Sequence, residues 1–328
     1  MQLLLAIREH IDDPHATKQE RLQCLWSEYG EIARYYSPKL GMSFIAKHVS
    51  PPNEVKHPRG WHSDVGHQRK LRSYQIEAEF YQSFAGLCGH DCYVPAFLGL
   101  LKDTYNPEQQ TLLMEDLQSS GFTLVHSRVT DAHIKTVLCW LAHFHGRFMH
   151  IDISALWPVG SYWYLATRQA EYTVMPDSAL KRAAQGIDHR LNHARFQSLL
   201  HGDAKLANFC FSEQKKVAAV DFQYVGRGVG VKDVMYLLGS CLTGKQLQEQ
   251  HDAYVDYYFA VLKTALLSPC SSEDNQDWVV ELEQEWRELI PFAWADFNRF
   301  LLGWSPEHVK INDFMQRQTA QVLSLYES

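Results

Sequence analysis

HGDAKLANF, residues 201–209, decides how this chain is read. It sets a His, an Asp, a Lys and an Asn within eight positions, between the apolar flanks SLL (198–200) and FCF (209–211). Asp203 and Asn208 stand five residues apart in a D-x-K-x-x-N spacing, and Asp221 follows thirteen residues after Asn208 in VAAVDFQ. The run VAAV reads as a buried strand, which puts Asp221 at a strand end where a ligand can reach it. Two carboxylates and an amide are hard oxygen donors. Converging on one point, they suit Mg²⁺ bridging phosphates and leave Asp203 free to accept a proton.

A phosphate-binding partner is sought in the first third of the chain. Lys47 lies in MSFIAKHVS (42–50), where strand alternation puts it on one face with Ile45 and Val49. A lysine between two β-branched residues requires an anion. On the next helix, expected at about residues 70–86, Tyr74, Glu77, Tyr81 and Phe84 recur at steps of three and four. Glu77 falls inside that apolar stripe, whereas Glu79 faces the other way, toward water. A Lys47–Glu77 pair satisfies both groups and aims the ammonium at a phosphate.

Composition bounds the rest. The chain has 328 residues, 46% of them hydrophobic, enough for two domains or one two-lobed enzyme, globular and with a real core. A net charge of -7 argues against broad nucleic-acid or anionic-membrane binding. Seven scattered cysteines without a C-x-x-C pair read as reduced thiols and point to a cytoplasmic protein. CGHDC (88–92) has no second ligand cluster, and His143 and His145, two apart on a helix, point in different directions. The apolar run Leu3–Ile7 is too short for a leader, and no segment is long enough to span a bilayer.

Along the chain, LQCLW, EIARYYS and MSFIAKHVS read as strands, and GLLKDT and QTLLMEDL as two more. From about residue 130 the pattern turns helical. Asp131 is the expected cap of a helix striped by Ile134, Val137, Leu138, Leu141, Phe144 and Phe148. The expected organisation is a sheet-rich segment 1–117 and a mainly helical segment 118–328 with a small β insert.

In this order and spacing the residues resemble the kinase-fold small-molecule phosphotransferases: aminoglycoside phosphotransferases, choline kinases and the ecdysteroid-kinase-like group. The resemblance runs over roughly residues 20–260. It rests on Lys47, on Glu77 followed by Phe80 and Tyr81, on EDL (115–117), LAHFHG (141–146), HGDxxxxN (201–208) and DFQ (221–223). DFQ in place of DFG is typical of the ecdysteroid-kinase-like branch. The implied fold is α+β and protein-kinase-like. It has a small N-terminal lobe of antiparallel sheet plus one helix, a larger helical C-terminal lobe, and ATP in the cleft.

The resemblance also implies roles. Asp203 is the expected base for a substrate hydroxyl, with Lys205 and Asn208 beside it in the catalytic loop. Asn208 and Asp221 are the expected Mg²⁺ ligands. Lys47, braced by Glu77, is expected at the ATP phosphates, the backbone of Glu115 to Leu117 at the adenine, and Asp233 at the base of the catalytic loop. The expected acceptor is a small-molecule alcohol: amino alcohol, sugar, aminoglycoside or sterol. No nucleic acid or membrane partner is expected, and the sequence does not specify the oligomeric state.

The departure is the phosphate-covering turn SEYGEIARY (27–35), which has one glycine, Gly30, where a glycine-rich loop is expected. Ser27 and the Gly30 amide are the remaining candidates for a phosphate cradle, although a single glycine also serves plain turn chemistry. That departure keeps a nucleotide-binding pseudokinase open as a second reading. A protein kinase is disfavoured, because only eleven residues separate Asp221 from Asp233 and no APE-like segment is present. The aromatic residues Trp157, Tyr162, Trp163, Tyr164, Trp278, Trp286 and Trp294 read either as bundle core or as an acceptor wall.

Overall fold

A computed structural model describes residues 2–25, 28–52, 64–126, 129–267 and 277–326. The chain divides into two compact units. The first comprises Met1–Gly89, Tyr93–Leu124 and Cys210–Gln223; the second comprises His90–Cys92, Val125–Phe209 and Tyr224–Ser328. The sequence reading cuts the chain once, at residue 117. In the fold, Cys210–Gln223 groups with the N-terminal residues, so Asp221 and Asp203 belong to different units.

The first unit is built on a five-stranded antiparallel sheet. Its strands are β1 (Thr17–Cys24), β2 (Gly30–Ser37), β3 (Met42–Val49), β4 (Phe97–Lys102) and β5 (Gln110–Glu115), in the order β1-β2-β3-β5-β4. Alternation along β3 separates its two faces. Phe44 and Ala46 join Ala33, Tyr35 and Leu113 in one apolar cluster. This cluster is completed by Ile7 of helix α1 (Gln2–His10), a helix not anticipated from the sequence, whose Leu3, Leu4 and Ile7 lie at helical spacing, with Ile11 just beyond its end packed on the same cluster. On the other face Val49 packs with Leu25, Tyr29, Leu71 and Tyr74, which brings in α2 (Asp64–Glu79). Lys47 shares that second face by register, so α2 is the element that must satisfy it.

Helix α2 begins at Asp64 rather than near residue 70. It continues as one π turn, Phe80–Phe84, and a 3-10 turn, Ala85–Leu87. Residues 53–63, immediately before the helix, lie outside the described residues, as does Ser27. Strand β1 starts at Thr17, five positions ahead of the strand read from LQCLW.

The second unit is helical: α3 (Asp131–Arg147), α4 (Gln169–Val174), α5 (Ala179–Asn192), α6 (Val231–Cys241), α7 (Gly244–Leu266), α8 (Asp277–Trp304) and α9 (Asp313–Leu323). The cap of α3 is Thr130, not Asp131. The Thr130 side chain accepts from the His133 amide, and the His133 ring answers at the Thr130 amide, a reciprocal capping box. The unit's short strands β6 (Ser198–Leu200) and β9 (Gly226–Gly228) pair antiparallel, whereas β7 (Phe209–Phe211), which pairs with β8 (Val217–Ala219), falls but for Phe209 in the first unit with β8. Cys24, Cys139, Cys210 and Cys241 carry free thiols. No helix is long and apolar enough to cross a membrane among the described residues.

Candidate active site

The first unit gathers Lys47, Glu77, Asp221 and Gln223. Lys47 is 5% exposed and donates to Glu77 at 2.9 Å (Oε1) and 2.6 Å (Oε2), the pair expected from the two periodicities. Its ammonium also lies 3.4 Å from Asp221 Oδ1. Burial lowers the Lys47 pKa, but the carboxylates of Glu77 and Asp221 outweigh it, so the ammonium is held above its ordinary range and stays charged. Glu77 is pushed upward by burial and by Asp221, against the pull of Lys47.

Asp221 stands two residues beyond β8, as VAAV implies, in a left-handed conformation at φ 69°. A non-glycine residue there is uncommon and held by its surroundings. Two contacts hold it. Gln223 Nε2 donates to Asp221 Oδ1 at 2.7 Å, while Gln223 Oε1 accepts from Lys70 and Ser73 of α2, each at 3.1 Å. Between them Phe222 stacks on Phe80 with 4.0 Å between centroids and meets Tyr81 edge-on. Glutamine at the third position of DFQ thus carries two bonds to the helix that also bears Glu77.

The second unit carries the catalytic-loop candidates. Asp203 is 6% exposed, and its Oδ2 accepts from Lys205 Nζ at 2.8 Å and from Asn208 Nδ2 at 3.1 Å. Asn208 Nδ2 also donates to the Asp203 carbonyl at 2.8 Å. The D-x-K-x-x-N spacing folds because a single 3-10 turn, Leu206–Asn208, brings position five back over position zero. Asp233, in the first turn of α6, accepts from the amides of His201 at 2.7 Å and Gly202 at 3.1 Å. His145, the second histidine of LAHFHG, is fully buried between Asp233 (3.2 Å) and Tyr258 (2.8 Å) and is no metal ligand. Gly202 has φ 77°, and a Cβ there would stand 2.0 Å from the Tyr224 carbonyl oxygen, so only glycine fits.

Two expected contacts acquire structural explanations. A Cβ on Gly30 would lie 2.0 Å from the carbonyl oxygen of His48 on β3, so this glycine is required by strand pairing, whatever its part in holding phosphate. At EDL, the Glu115 amide donates to Ala96, and the Glu115 carboxylate accepts from Tyr93 (2.7 and 2.9 Å) and the Ala96 amide. Burial and that carboxylate push the Tyr93 phenol up to about 12. Asp116 is locked to Arg34 at 2.6 Å, and Leu117 is buried among Phe122, Ala218 and Tyr93. Hydrogen bonds, an ion pair and apolar packing thus tie down all three residues of the segment.

The donors suit Mg²⁺. No three His, Cys, Asp or Glu side chains gather as a metal site among the described residues. Mg²⁺ commonly takes only one or two carboxylates and completes its shell with water and phosphate oxygens. Asp221 has a side chain 35% exposed, and Asn208, whose nitrogen is committed to Asp203, has its carbonyl oxygen left as a donor.

The aromatic residues divide. Trp163, Trp286 and Trp294 are fully buried core, and the Trp163 ring nitrogen donates to Asp296 at 3.0 Å. Tyr162 and Tyr236 lie beside Asp203. Their hydroxyls are 3.3 Å apart, and burial together with the nearby carboxylate drives both phenols up. Tyr236, Gln223 and Lys310 have no place in the sequence-derived site. Gln223 was legible as a departure from DFG; Tyr236 and Lys310 carry no local signal.

Residues 166–269, which include HGDAKLANF, DFQ and Asp233, match the model of the ecdysteroid kinase-like family. No curated protein matches the chain. Among solved structures, the chain is similar to an aminoglycoside phosphotransferase described as putative, from Ralstonia eutropha, at 14% identity and TM-score 0.53, covering 99% of this chain and 95% of that one. It is also similar to aminoglycoside 2'-phosphotransferase-IIIa in its GDP complex, at 13% identity and TM-score 0.50, covering 98% of each chain. The GDP and kanamycin complex of APH(2")-IIia matches at 14% identity and TM-score 0.50, over 99% and 97%. At these identities the likeness speaks to the fold, and the chain has the protein-kinase-like fold of the aminoglycoside phosphotransferases, with an ecdysteroid kinase-like segment at residues 166–269.

Proposed function

We propose that the protein transfers a phosphoryl group from a nucleotide, ATP, to a hydroxyl of a small molecule, with Mg²⁺. The observation that carries this reading is the environment of Asp203. It is a buried carboxylate flanked by a lysine and an asparagine, on a loop whose His201 and Gly202 amides are pinned by Asp233. Such pinning preorganises a base at little cost at the moment of reaction. The solved relatives bound to GDP and kanamycin support a nucleotide donor and a small acceptor.

In this reading Asp203 orients the acceptor hydroxyl and takes its proton as the oxygen attacks. Lys205, already beside Asp203, offers its positive charge to the transferring phosphoryl. Lys47, kept charged and oriented by Glu77, balances the phosphates of the nucleotide. The backbone from Glu115 to Leu117 reads the base. Asn208 and Asp221 are the residues that would hold Mg²⁺, which when bound neutralises phosphate charge. Asp203→Asn is expected to lower turnover on the order of a thousandfold while MgATP still binds. Mass spectrometry over a panel of alcohols, with calorimetry of MgATP, measures both; unchanged turnover in the variant refutes the role of Asp203.

A second reading, a nucleotide-binding protein without turnover, is favoured by one observation. The single glycine of the β1–β2 turn is already required by strand pairing. Tight MgATP binding with no product from any alcohol, and no slow ATP hydrolysis, selects this reading.

A further inference from the structure

An aromatic wall of the second unit lies beside Asp203. Tyr162 meets Tyr236 at 5.5 Å and Phe300 at 5.4 Å between centroids, and Tyr236 meets Phe297 at 5.2 Å. The Tyr236 hydroxyl is a hydrogen-bonding neighbour of the Asp203 carboxylate. Tyr236, Phe297 and Phe300 are buried, so the half-buried Tyr162, next to a base that would receive an alcohol, is the ring on which the acceptor's body would rest.

Its π faces are already matched with cations. Arg168 stands 5.7 Å from the Tyr162 centroid and 5.4 Å from Phe300, and Lys232 stands 5.4 Å from Trp163. Lys310, from the loop between α8 and α9, stands 4.8 Å from Tyr236 and 5.7 Å from Phe297. Arg168 is paired with Glu171 and Lys232 with Asp296. Among the described residues the Lys310 ammonium has neither a hydrogen bond nor an ion pair.

The geometry points to Lys310 as a specificity residue that receives an anionic group of the acceptor, a carboxylate, phosphate or sulfate. The acceptor's apolar body would then lie against Tyr162, the half-buried ring of the group. The acceptor class is therefore an acidic alcohol. Amines and quaternary ammonium compounds, for which an aromatic wall is otherwise suited, meet a face already taken by a cation. Burial depresses the Lys310 pKa to about 8, against the attraction of Asp203, which is the state of an ammonium short of counter-charge. The inference rests on the proposed function only in taking the wall beside Asp203 as the acceptor's place.

The test measures binding, so it does not depend on turnover. Lysines of the full chain are dimethylated with isotope-labelled methyl groups, which keeps their charge, and the Lys310 resonance is assigned by its loss in Lys310→Gln. Aryl, straight-chain and steroid alcohols, each made as carboxylate, methyl ester and trimethylammonium, are titrated to millimolar concentration into the MgADP-loaded protein. The carboxylate is expected to shift the Lys310 resonance and to bind about tenfold or more tighter than the trimethylammonium analogue in at least one series. Lys310→Glu should invert that order, and Lys310→Arg should keep it. A ranking independent of charge, an order unchanged in Lys310→Glu, or no carboxylate binding in any series overturns the proposal. Phosphorylation of all members regardless of charge overturns it while leaving the proposed function standing. A charge-dependent ranking with no phosphorylated product does the reverse.

Discussion

Two ionic clusters among the described residues are mirror images in charge and differ in accessibility: one carboxylate held by two cations, and one ammonium held by two carboxylates. In the second unit, Asp296 is held by Lys232 at 3.3 Å and Arg299 at 2.7 Å, with side chains at most 2% exposed. In the first unit, Lys47 is held by Glu77 and Asp221, and there the Asp221 side chain is 35% exposed. The Asp296 cluster is sealed and ties Trp163 to α8 through the indole nitrogen and the Trp163 carbonyl. Burial works against the Asp296 charge, but Arg299 and Lys232 outweigh it and hold its carboxyl below the usual range. The other cluster ends in a carboxylate that solvent reaches, on a backbone in a left-handed conformation. A closed ionic cluster can only hold structure, whereas one with an open carboxylate can exchange partners with a ligand.

Substitutions sharpen the contrast. On the proposed function, Asp221→Ala should weaken MgATP binding about a hundredfold in calorimetry, with little loss of thermal stability. Asp296→Ala strands two buried cations, so denaturant unfolding should show a loss of roughly 3–5 kcal/mol. Equal stability losses in the two variants would erase the distinction. A smaller change is expected for Gln223→Ala, which cuts Asp221 from α2. About 1 kcal/mol of stability should go, together with a severalfold loss of MgATP affinity. Unchanged MgATP affinity would show that Asp221 needs no brace.

The mildest prediction concerns pH. The folded-state pKa of Lys310, about 8, lies below the ordinary lysine value of 10.5. The unfolded chain therefore binds more protons between those values, and the Lys310 contribution to stability should increase as pH rises through that window. Lys310→Met should flatten this part of the stability–pH curve. An identical slope in wild type and variant would show that Lys310 is hydrated like a surface lysine.

Much of the site was legible because its parts recur at local periods. Alternation put Lys47 on the face with Val49, helical spacing put Glu77 between Tyr74 and Tyr81, and a five-residue spacing put Asn208 over Asp203. The misread elements involve distant contacts or neighbouring positions. The α1 stripe is too short to identify without the sheet it covers, and Thr130 rather than Asp131 caps α3 because capping depends on which backbone leaves the helix.

The sequence by itself determined an α+β chain with a lysine–glutamate pair, a polar loop at 201–209 and an aspartate at a strand end, since neighbours within a turn or strand leave a periodic trace. Only the tertiary structure decided that Gly30 serves strand pairing, that Gln223 ties Asp221 to α2 and that Lys310 lies on the Tyr236 ring. Those contacts join residues far apart in the chain. Burial and ring packing choose them, and no local pattern of residues encodes that choice.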